Sequence, residues 1–247
     1  MSNLTFDGHD FAQLGVYGDP EYTLLDSQPQ YADAQNRNGS IVLGKTLGNG
    51  AISFSLGING TAHERRVKLS MLGNWLDVDE PKQLVLPDAP DWYYLAIPEG
   101  SIESTRGIGG EIVRMTFALT DPIAYGEENS VIIPRGGSAT FIVGGTAPTY
   151  PYMKSDTTIK PDTSTLLWGL RFDNQDTWSI GADTSARFKV WFDMGRRESR
   201  LYGTTAKLPT LDSDWFELTP GVHTIENYLG SDIDGSSITL YWRERWF

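Results

Sequence analysis

Residues 51–58 read AISFSLGI, and every second residue of this stretch is large and apolar. Successive side chains of a β-strand point to opposite faces, so the alternation predicts a strand with one buried and one solvated face. The expected buried set is Ile52, Phe54, Leu56 and Ile58. Asn-Gly pairs at 49–50 and 59–60 bracket the stretch, and Asn-Gly supplies the positive φ angles of tight turns.

The same alternation recurs along the chain and predicts further half-buried strands. The repeating apolar sets are Val113, Met115, Phe117 and Leu119; Leu166, Trp168, Leu170 and Phe172; Phe188, Val190 and Phe192; and Ile238, Leu240 and Trp242. With 26 glycines, 13 prolines and 12% aromatic residues, the composition is that of a turn-rich all-β protein.

Residues 62–76 depart from this pattern. Thr61 followed by Glu64 fits a capping box, and Leu69, Leu72 and Leu76 recur at helical spacing, which predicts one amphipathic helix over about 62–76. After it, the Pro-Asp-Ala-Pro segment at 87–90 separates two apolar arms and predicts a β-hairpin over about 82–97.

A chain of 247 residues is long enough for two domains. Proline and glycine cluster between 122 and 137, so we expect a division at 133/134, with a first domain at 1–133 and a second at 134–247. No helix is predicted in the second domain.

Composition also excludes several functions. There are no cysteines, which removes disulfides, thiolate metal sites and cysteine nucleophiles. The formal net charge of −12 opposes binding to phosphate backbones. No apolar run is long enough for a membrane span or a secretion signal, so we expect the chain to remain in the compartment that made it.

The stretch LDSDWFELTPGVHTIENY, residues 211–228, is the main candidate for chemistry. Asp212 and Asp214 would share a strand face and could bracket a hard cation, although such sites usually need more ligands than one strand offers. Solvated residues at a strand entry are the favoured interpretation. Pro220-Gly221 predicts a turn, and His223 then falls on the next strand as an ordinary residue.

No motif of a nucleophile elbow, phosphate loop or cofactor site is present, so the prediction is a protein that is not an enzyme and has no cofactor. Two alternatives remain open. Paired carboxylates from distant strands could form a glycoside hydrolase site. Alternatively, aromatic side chains of the second half could form a sugar-stacking platform of a carbohydrate-binding module for a host-surface glycan: Trp168, Trp178, Trp191, Trp215, Trp242 and Trp246. Trp168 and Trp242 fall on apolar faces, which favours core packing for them.

The order of several segments resembles the distal tail protein (Dit) family of long-tailed, siphovirus-type bacteriophages. In the first half these segments are FDGHDF, NRNGSIVLG, AISFSLGI, LGNWL, LVLPDAPDWYYLAI and TDPIAYG; in the second they are GGTAPTYP, DSDWFELTPGVHTI and YWRERW. The resemblance implies an N-terminal β-sandwich with one helix and a protruding hairpin, followed by a galectin-like β-sandwich.

The resemblance also implies a function. Members of the family form a homohexameric ring, a hub in the virion that joins the tail tube to the tail-tip protein and receptor-binding components. DNA passes through the ring without specific binding, and no membrane is involved. The protein would be made in the host bacterial cytoplasm and sit at the distal end of the tail. A closed ring needs two different patches on each subunit, and Trp92 and Tyr94 of the 82–97 hairpin are the candidates for one of them.

Overall fold

The computed structural model of the chain describes residues 3–23, 27–33, 38–107, 110–155, 167–173, 175–181, 189–202, 214–229 and 237–247. Within these ranges the structure consists of β-strands, turns and one α-helix, which confirms the all-β prediction. The chain divides into two compact units. Unit 1 is Met1–Tyr125 together with Phe247, and unit 2 is Gly126–Trp246.

Unit 1 contains short strands before its main sheet. The bounds up to the end of this unit are β1 Thr5–Phe6, β2 His9–Asp10, a 3-10 turn Phe11–Gln13, β3 Val16–Tyr17, β4 Glu21–Thr23, β5 Ser27–Asp33, β6 Ser40–Leu47, β7 Gly50–Asn59, α1 Ala62–Leu76, β8 Lys82–Leu86, β9 Ala89–Gly107 and β10 Gly110–Leu119. The main sheet has the order β9-β10-β7-β3, and β7 and β10 pair along their whole length.

The alternating strands bury the faces that the sequence predicts. The four residues of the predicted apolar set in β7 and the four in β10 are all buried in one core. At its centre the Phe117 ring lies 4.9 Å from Phe6 and 5.6 Å from Phe54, measured between ring centroids. Apolar burial of this kind is the main favourable term in folding, so this core holds unit 1 together.

Helix α1 has the predicted bounds and covers this core. The capping box is complete: the Thr61 N–H donates to Glu64 Oε2 at 2.7 Å, and the Glu64 N–H donates to Thr61 Oγ1 at 3.3 Å. These two bonds satisfy amide groups that the first helical turn leaves without partners. The other end of the helix buries Leu72, Trp75 and Leu76 in the core.

Two hairpin-like ladders of unit 1 differ in their surroundings. In the β8–β9 hairpin, β8 pairs with β1 on its other edge, and Leu84, Leu86 and Ala96 are buried in the core. Strands β5 and β6 instead form a separate two-stranded sheet, and nearly all of their residues are exposed. We call this pair, residues 27–33 and 40–47, the arm.

Unit 2 is a β-sandwich. Its strand bounds are β11 Ala124–Ile133, whose first two residues belong to unit 1, β12 Ser138–Val143, β13 Tyr152–Ser155, β14 Leu167–Phe172, β15 Gln175–Gly181, β16 Lys189–Asp193, β17 Glu198–Tyr202, β18 Gly221–Leu229 and β19 Ile238–Trp246. One sheet has the order β17-β16-β13-β19-β11 and the other β12-β18-β14-β15. Both contribute to a single core, for example Phe192 and Leu240 from the first sheet and Leu170 and Ile225 from the second.

The units divide between Tyr125 and Gly126, whereas the sequence analysis placed the domain division at 133/134. Ile133 is buried in the core of unit 2, and Val131 packs against that core. The Pro-Gly cluster after Ile133 is a tight turn within unit 2, in which the Gly137 N–H donates to the Pro134 carbonyl at 3.1 Å. Turn residues inside a sandwich and linker residues between domains have the same composition, and the domain division at 133/134 stays a prediction.

Candidate functional site

The arm exposes apolar side chains on both of its faces. Tyr31 and Val42 lie opposite each other in the ladder, so they share one face, and each is 61% exposed. Ile41 lies opposite Ala32 and points to the other face, where it is 40% exposed, and Leu43, the extra residue of a bulge in the ladder, is 67% exposed. A two-stranded ladder alone is only marginally stable in water. An apolar ladder left this open is typical of a surface that another protein chain covers.

The solvated face of the main sheet of unit 1 is different in character. It carries small polar side chains, with Ser53 and Thr116 hydrogen bonded across β7 and β10 at 2.8 Å. A groove of about 570 Å³ on this face is lined by the carboxylates Asp19, Glu21 and Glu103 and by one cation, Arg114. This surface is acidic, and it offers hydroxyl groups in place of large apolar ones.

Trp92 and Tyr94, the residues proposed for a subunit contact, lie two residues apart on β9, where the pairing with β8 shifts register between Tyr94 and Ala89. Tyr94 is opposite Leu84 and packs against the core of unit 1. Burial, and then the negative charge of Asp88, raises the pKa of Tyr94 above its ordinary value. Trp92 is half-buried and interacts within the chain. Both rings keep exposed surface that a neighbouring subunit could contact.

Of the two candidate metal ligands, Asp212 lies outside the described residues, and Asp214 is exposed. The predicted strand at 214–217 is absent. Only Leu218 pairs there, through two hydrogen bonds of 2.8 and 2.7 Å with Thr149. Trp215 and Phe216 nevertheless pack against the core of unit 2. Among the residues that the structure describes, no three acidic or histidine side chains come together as a metal site would require.

His223 lies on β18, as predicted, but the buried ring also forms a polar cluster with the exposed Asp173 that sequence reasoning missed. Its Nδ1 is 2.8 Å from Asp173 Oδ2, and its Nε2 is 2.6 Å from the carbonyl oxygen of Thr219. The Thr224 N–H donates to Asp173 Oδ1 at 2.8 Å. Desolvation acts to raise the pKa of Asp173, but the hydrogen bonds from Thr224 and His223 outweigh it and lower this pKa overall.

This cluster does not have the geometry of a catalytic base. A base needs a free nitrogen lone pair facing a nucleophile. Nε2 instead faces the Thr219 carbonyl, which can only accept, so Nε2 donates its N–H there. The ring is further enclosed by Phe172, whose centroid lies 5.0 Å away. The cluster therefore ties the turn after β14 to the turn before β18. Asp173 and His223 are far apart in sequence, and no local pattern links them.

Helices of the described ranges are too short or too polar to cross a membrane.

Comparisons with known proteins cover both units. Residues 13–111 match the family described as phage tail protein RIFT-related domain, and residues 144–246 match the siphovirus-type tail component, C-terminal domain. No curated protein sequence matches the chain.

Among solved structures, the Dit protein of phage SPP1, described as a paradigm of the hub adsorption apparatus in phages that infect Gram-positive bacteria, is similar over 99% of both chains, with a TM-score of 0.77 and 16% identity. At this identity the likeness shows the fold. The phage P2 baseplate in its activated conformation with Ca matches over 96% of this chain and 92% of the other, with a TM-score of 0.45 and 12% identity. That score is too low to carry an argument.

Proposed function

This chain belongs to the distal tail protein family of siphovirus-type phages, and on that premise we propose that it forms a homohexameric ring at the distal end of a phage tail. The ring joins the tail tube protein to the tail-tip protein and to receptor-binding components, and it lets DNA pass during ejection. The role is structural and not catalytic. Synthesis takes place in the cytoplasm of the infected bacterium, before assembly into the virion.

The arm is the observation that carries this proposal. It exposes Tyr31 and Val42 on one face, Ile41 on the other, and Leu43 at the bulge. Covering such side chains contributes roughly 25 cal/mol for each Å² of apolar surface removed from water. In a subunit that assembles with copies of itself, the neighbour supplies that cover.

A ring of identical subunits closes through a head-to-tail contact, which joins two different patches of the same chain. We assign the arm to one patch. The surface around Trp92 and Tyr94 is our candidate for the second, because both rings are only partly covered within unit 1. Aromatic side chains of this kind are enriched among residues that dominate interface energies.

The acidic face of unit 1 fits the passage of DNA. Asp19, Glu21 and Glu103 outnumber Arg114 along the groove, and the formal net charge of the chain is −12. A channel wall with this charge repels phosphate groups and does not hold the strand in place. We therefore assign this face to the side of the ring that the genome passes.

Native mass spectrometry and negative-stain imaging test the ring. Wild-type protein should give a six-subunit species with six-fold symmetry, whereas Val42→Ser combined with Leu43→Ser should give mostly monomer, because two exposed contacts become polar. The matched control is Ile142→Ser with Val222→Ser. These two residues are cross-strand neighbours of unit 2 that are 69% and 66% exposed. The control should keep the ring.

A wild-type chain that stays monomeric at micromolar concentration, also after mixing with the tail tube protein, would contradict the ring. A ring that survives the arm variant and is lost in the control would move the contact to unit 2.

The second patch has its own test. Trp92→Ala should weaken the ring while unit 1 stays folded, with a loss of unfolding free energy in the monomer of about 1 kcal/mol, because Trp92 is half-buried. Tyr94→Phe keeps the aromatic side chain that packs against the core and removes only its hydroxyl group, so it serves as the conservative control. Loss of folding in Trp92→Ala would assign Trp92 to the core of its own unit.

A further inference from the structure

We propose that the outer face of the larger sheet of unit 2 binds an anionic glycan, a chain of sugar rings that carries carboxylate or phosphate groups. This cation-aromatic face is formed by Arg200, Trp191, Lys154, Tyr152, Tyr241 and Arg243. It is independent of the arm and of the ring contact.

Strand register places these side chains side by side. Trp191 of β16 lies opposite Arg200 of β17 on one side and Lys154 of β13 on the other. Tyr152 lies opposite Tyr241 of β19. The intervening residues point to the other side of the sheet, where Met153, Phe192 and Leu240 are fully buried. The other side of this sheet packs in the core of unit 2, so the backbone that carries the face has a fixed geometry.

The aromatic rings hold two of the cations in position. The Tyr152 and Tyr241 rings stack with centroids 4.7 Å apart and planes 7° apart, and Lys154 Nζ is 5.0 Å from both centroids. Arg200 Cζ lies 4.9 Å from the centroid of the Trp191 ring. Cation-π contacts restrict these long side chains before any ligand arrives, so less conformational entropy is lost on binding.

Charge on this face departs from that of the chain as a whole. The chain has 20 lysines and arginines against 32 acidic residues. Three carboxylates of these strands each have a cationic partner: Glu198 with Arg200 at 3.0 Å, Glu128 with Arg243 at 3.3 Å and Asp193 with Arg196 at 3.8 Å. Lys154 has no carboxylate partner among the described residues, so its exposed ammonium group is available to an anion.

The surrounding groups favour a glycan over an acidic protein segment. Protein interfaces have an apolar centre, whereas the exposed large apolar side chains of β11, β13, β16 and β19 in the described part of the chain are limited to Ile132 of β11. Glu128, Asp193 and Glu198 can accept hydrogen bonds from sugar hydroxyl groups, whereas the ionised side chains of an acidic peptide have no donor to offer them. Half-buried Trp and Tyr rings beside such polar groups provide both apolar contact and hydrogen bonding.

Affinity electrophoresis of the whole chain tests the site with four polymers. Polygalacturonate carries carboxylate groups, a glycerol phosphate polymer bearing sugars carries phosphate groups, dextran is a neutral glycan, and polyglutamate is an acidic peptide. We expect retardation by one or both anionic glycans and none by dextran. Retardation should weaken as salt is raised from about 0.05 to about 0.5 M, because screening shortens the range of the charges. The response to the first two polymers separates the carboxylate from the phosphate ligand.

Variants then locate the binding. Lys154→Met should weaken retardation about tenfold, the scale of one lost charge-assisted contact, and Lys154→Arg should retain most of it. Arg66→Met removes one exposed cation from α1 and should have no effect. Thermal unfolding of each variant checks that unit 2 remains folded.

Three results would overturn the proposal: no retardation by either anionic glycan, binding that Lys154→Met leaves unchanged, or retardation by polyglutamate as strong as that by the glycans. The last result would assign the face to an acidic protein. Native mass spectrometry of the same samples reports the ring separately, so failure of glycan binding is distinguishable from failure of assembly.

Discussion

Two antiparallel ladders of unit 1 carry similar apolar residues, but these residues are buried in one ladder and exposed in the other. In the β7–β10 ladder every apolar residue of one face is buried beneath α1 and the N-terminal strands. In the arm, the apolar residues of both faces remain exposed. The first ladder is completed by its own chain, whereas the second needs a cover that the described part of unit 1 does not provide.

The difference in exposure follows from the order of apolar and polar residues in the two ladders. Strand β7 alternates strictly, so one face is apolar and the other is polar. Strand β6 contains the run Ile41-Val42-Leu43, which puts apolar side chains on both faces of a thin ladder. A ladder with two apolar faces must be sandwiched, either inside a fold or between molecules. Pairs of matched substitutions in the two ladders test whether the arm is truly outside the fold of the monomer.

The largest effect is expected from truncating the centre of the buried ladder. Phe117→Ala should lower the unfolding free energy of unit 1 by about 3–5 kcal/mol, because it removes contacts with Phe6 and Phe54 and leaves a cavity. Tyr31→Ala in the arm should change it by less than about 0.5 kcal/mol. Urea unfolding of monomeric protein, followed by tryptophan fluorescence, measures both. Equal losses would show that the arm belongs to the core.

A smaller loss is expected from adding one methyl group beside the buried ladder. A Cβ at Gly15 would lie 2.1 Å from the carbonyl oxygen of Gly57 in β7, so backbone must move. Gly15→Ala should cost about 1–3 kcal/mol, the usual range for overpacking. Gly44→Ala in the arm meets no atom within 4 Å and should be neutral. Thermal unfolding distinguishes the two, and a loss at Gly44 would reveal close packing around the arm.

A smaller loss of stability is expected from weakening helix α1, which covers the buried ladder. Thr61→Ala removes the N-cap oxygen of α1 and should cost about 1 kcal/mol. Thr46→Ala in the arm removes an exposed hydrogen bond of the same length, 3.3 Å, to the Gln28 carbonyl but no helix cap, and it should have almost no effect on stability. Denaturant titrations of the two variants give the comparison, and a silent Thr61→Ala would mean that the helix is held by packing alone.

The parts of unit 1 that its own chain completes were the parts predictable from sequence. Alternation identified the buried faces of β7 and β10, and the capping box identified α1 with its observed bounds. Both signals are local, because each depends on residues within a few positions of one another. The arm was not predicted as a separate ladder, since the run at 41–43 does not alternate.

Longer-range features escaped sequence reasoning. The contact between His223 and Asp173 joins two turns that only the folded sandwich brings together. The stretch 214–217 contains strand-forming residues, but its backbone pairs only at Leu218, because that is where Thr149 approaches. Trp191 was noted among the aromatic residues of the second half, yet its neighbours Arg200 and Lys154 depend on strand register.

A still smaller effect on the buried ladder should depend on pH. Hydrogen bonds from the backbone and side chain of Thr61 lower the pKa of Glu64. The stabilisation from this cap is therefore complete above the ordinary pKa of a glutamate and is lost as pH falls through the lowered folded value. Glu64→Gln should remove that part of the acid sensitivity of unit 1. Unfolding midpoints of wild type and Glu64→Gln should converge at low pH, and parallel curves would rule out this role for Glu64.

The smallest effect concerns the arm itself, where the monomer has little stability to lose. Amide hydrogen exchange reports the local opening of each strand. In monomeric Val42→Ser with Leu43→Ser, amides of β5 and β6 should exchange nearly as fast as in an unfolded chain, while those of β7 and β10 should remain protected up to global unfolding. In the assembled wild-type ring, the arm amides should slow by at least about tenfold, because a neighbouring subunit must leave before the ladder can open. Strong protection of the arm in the monomer would instead mean that unit 1 covers its own arm, and the two ladders would then differ only in exposure and not in how they are stabilised.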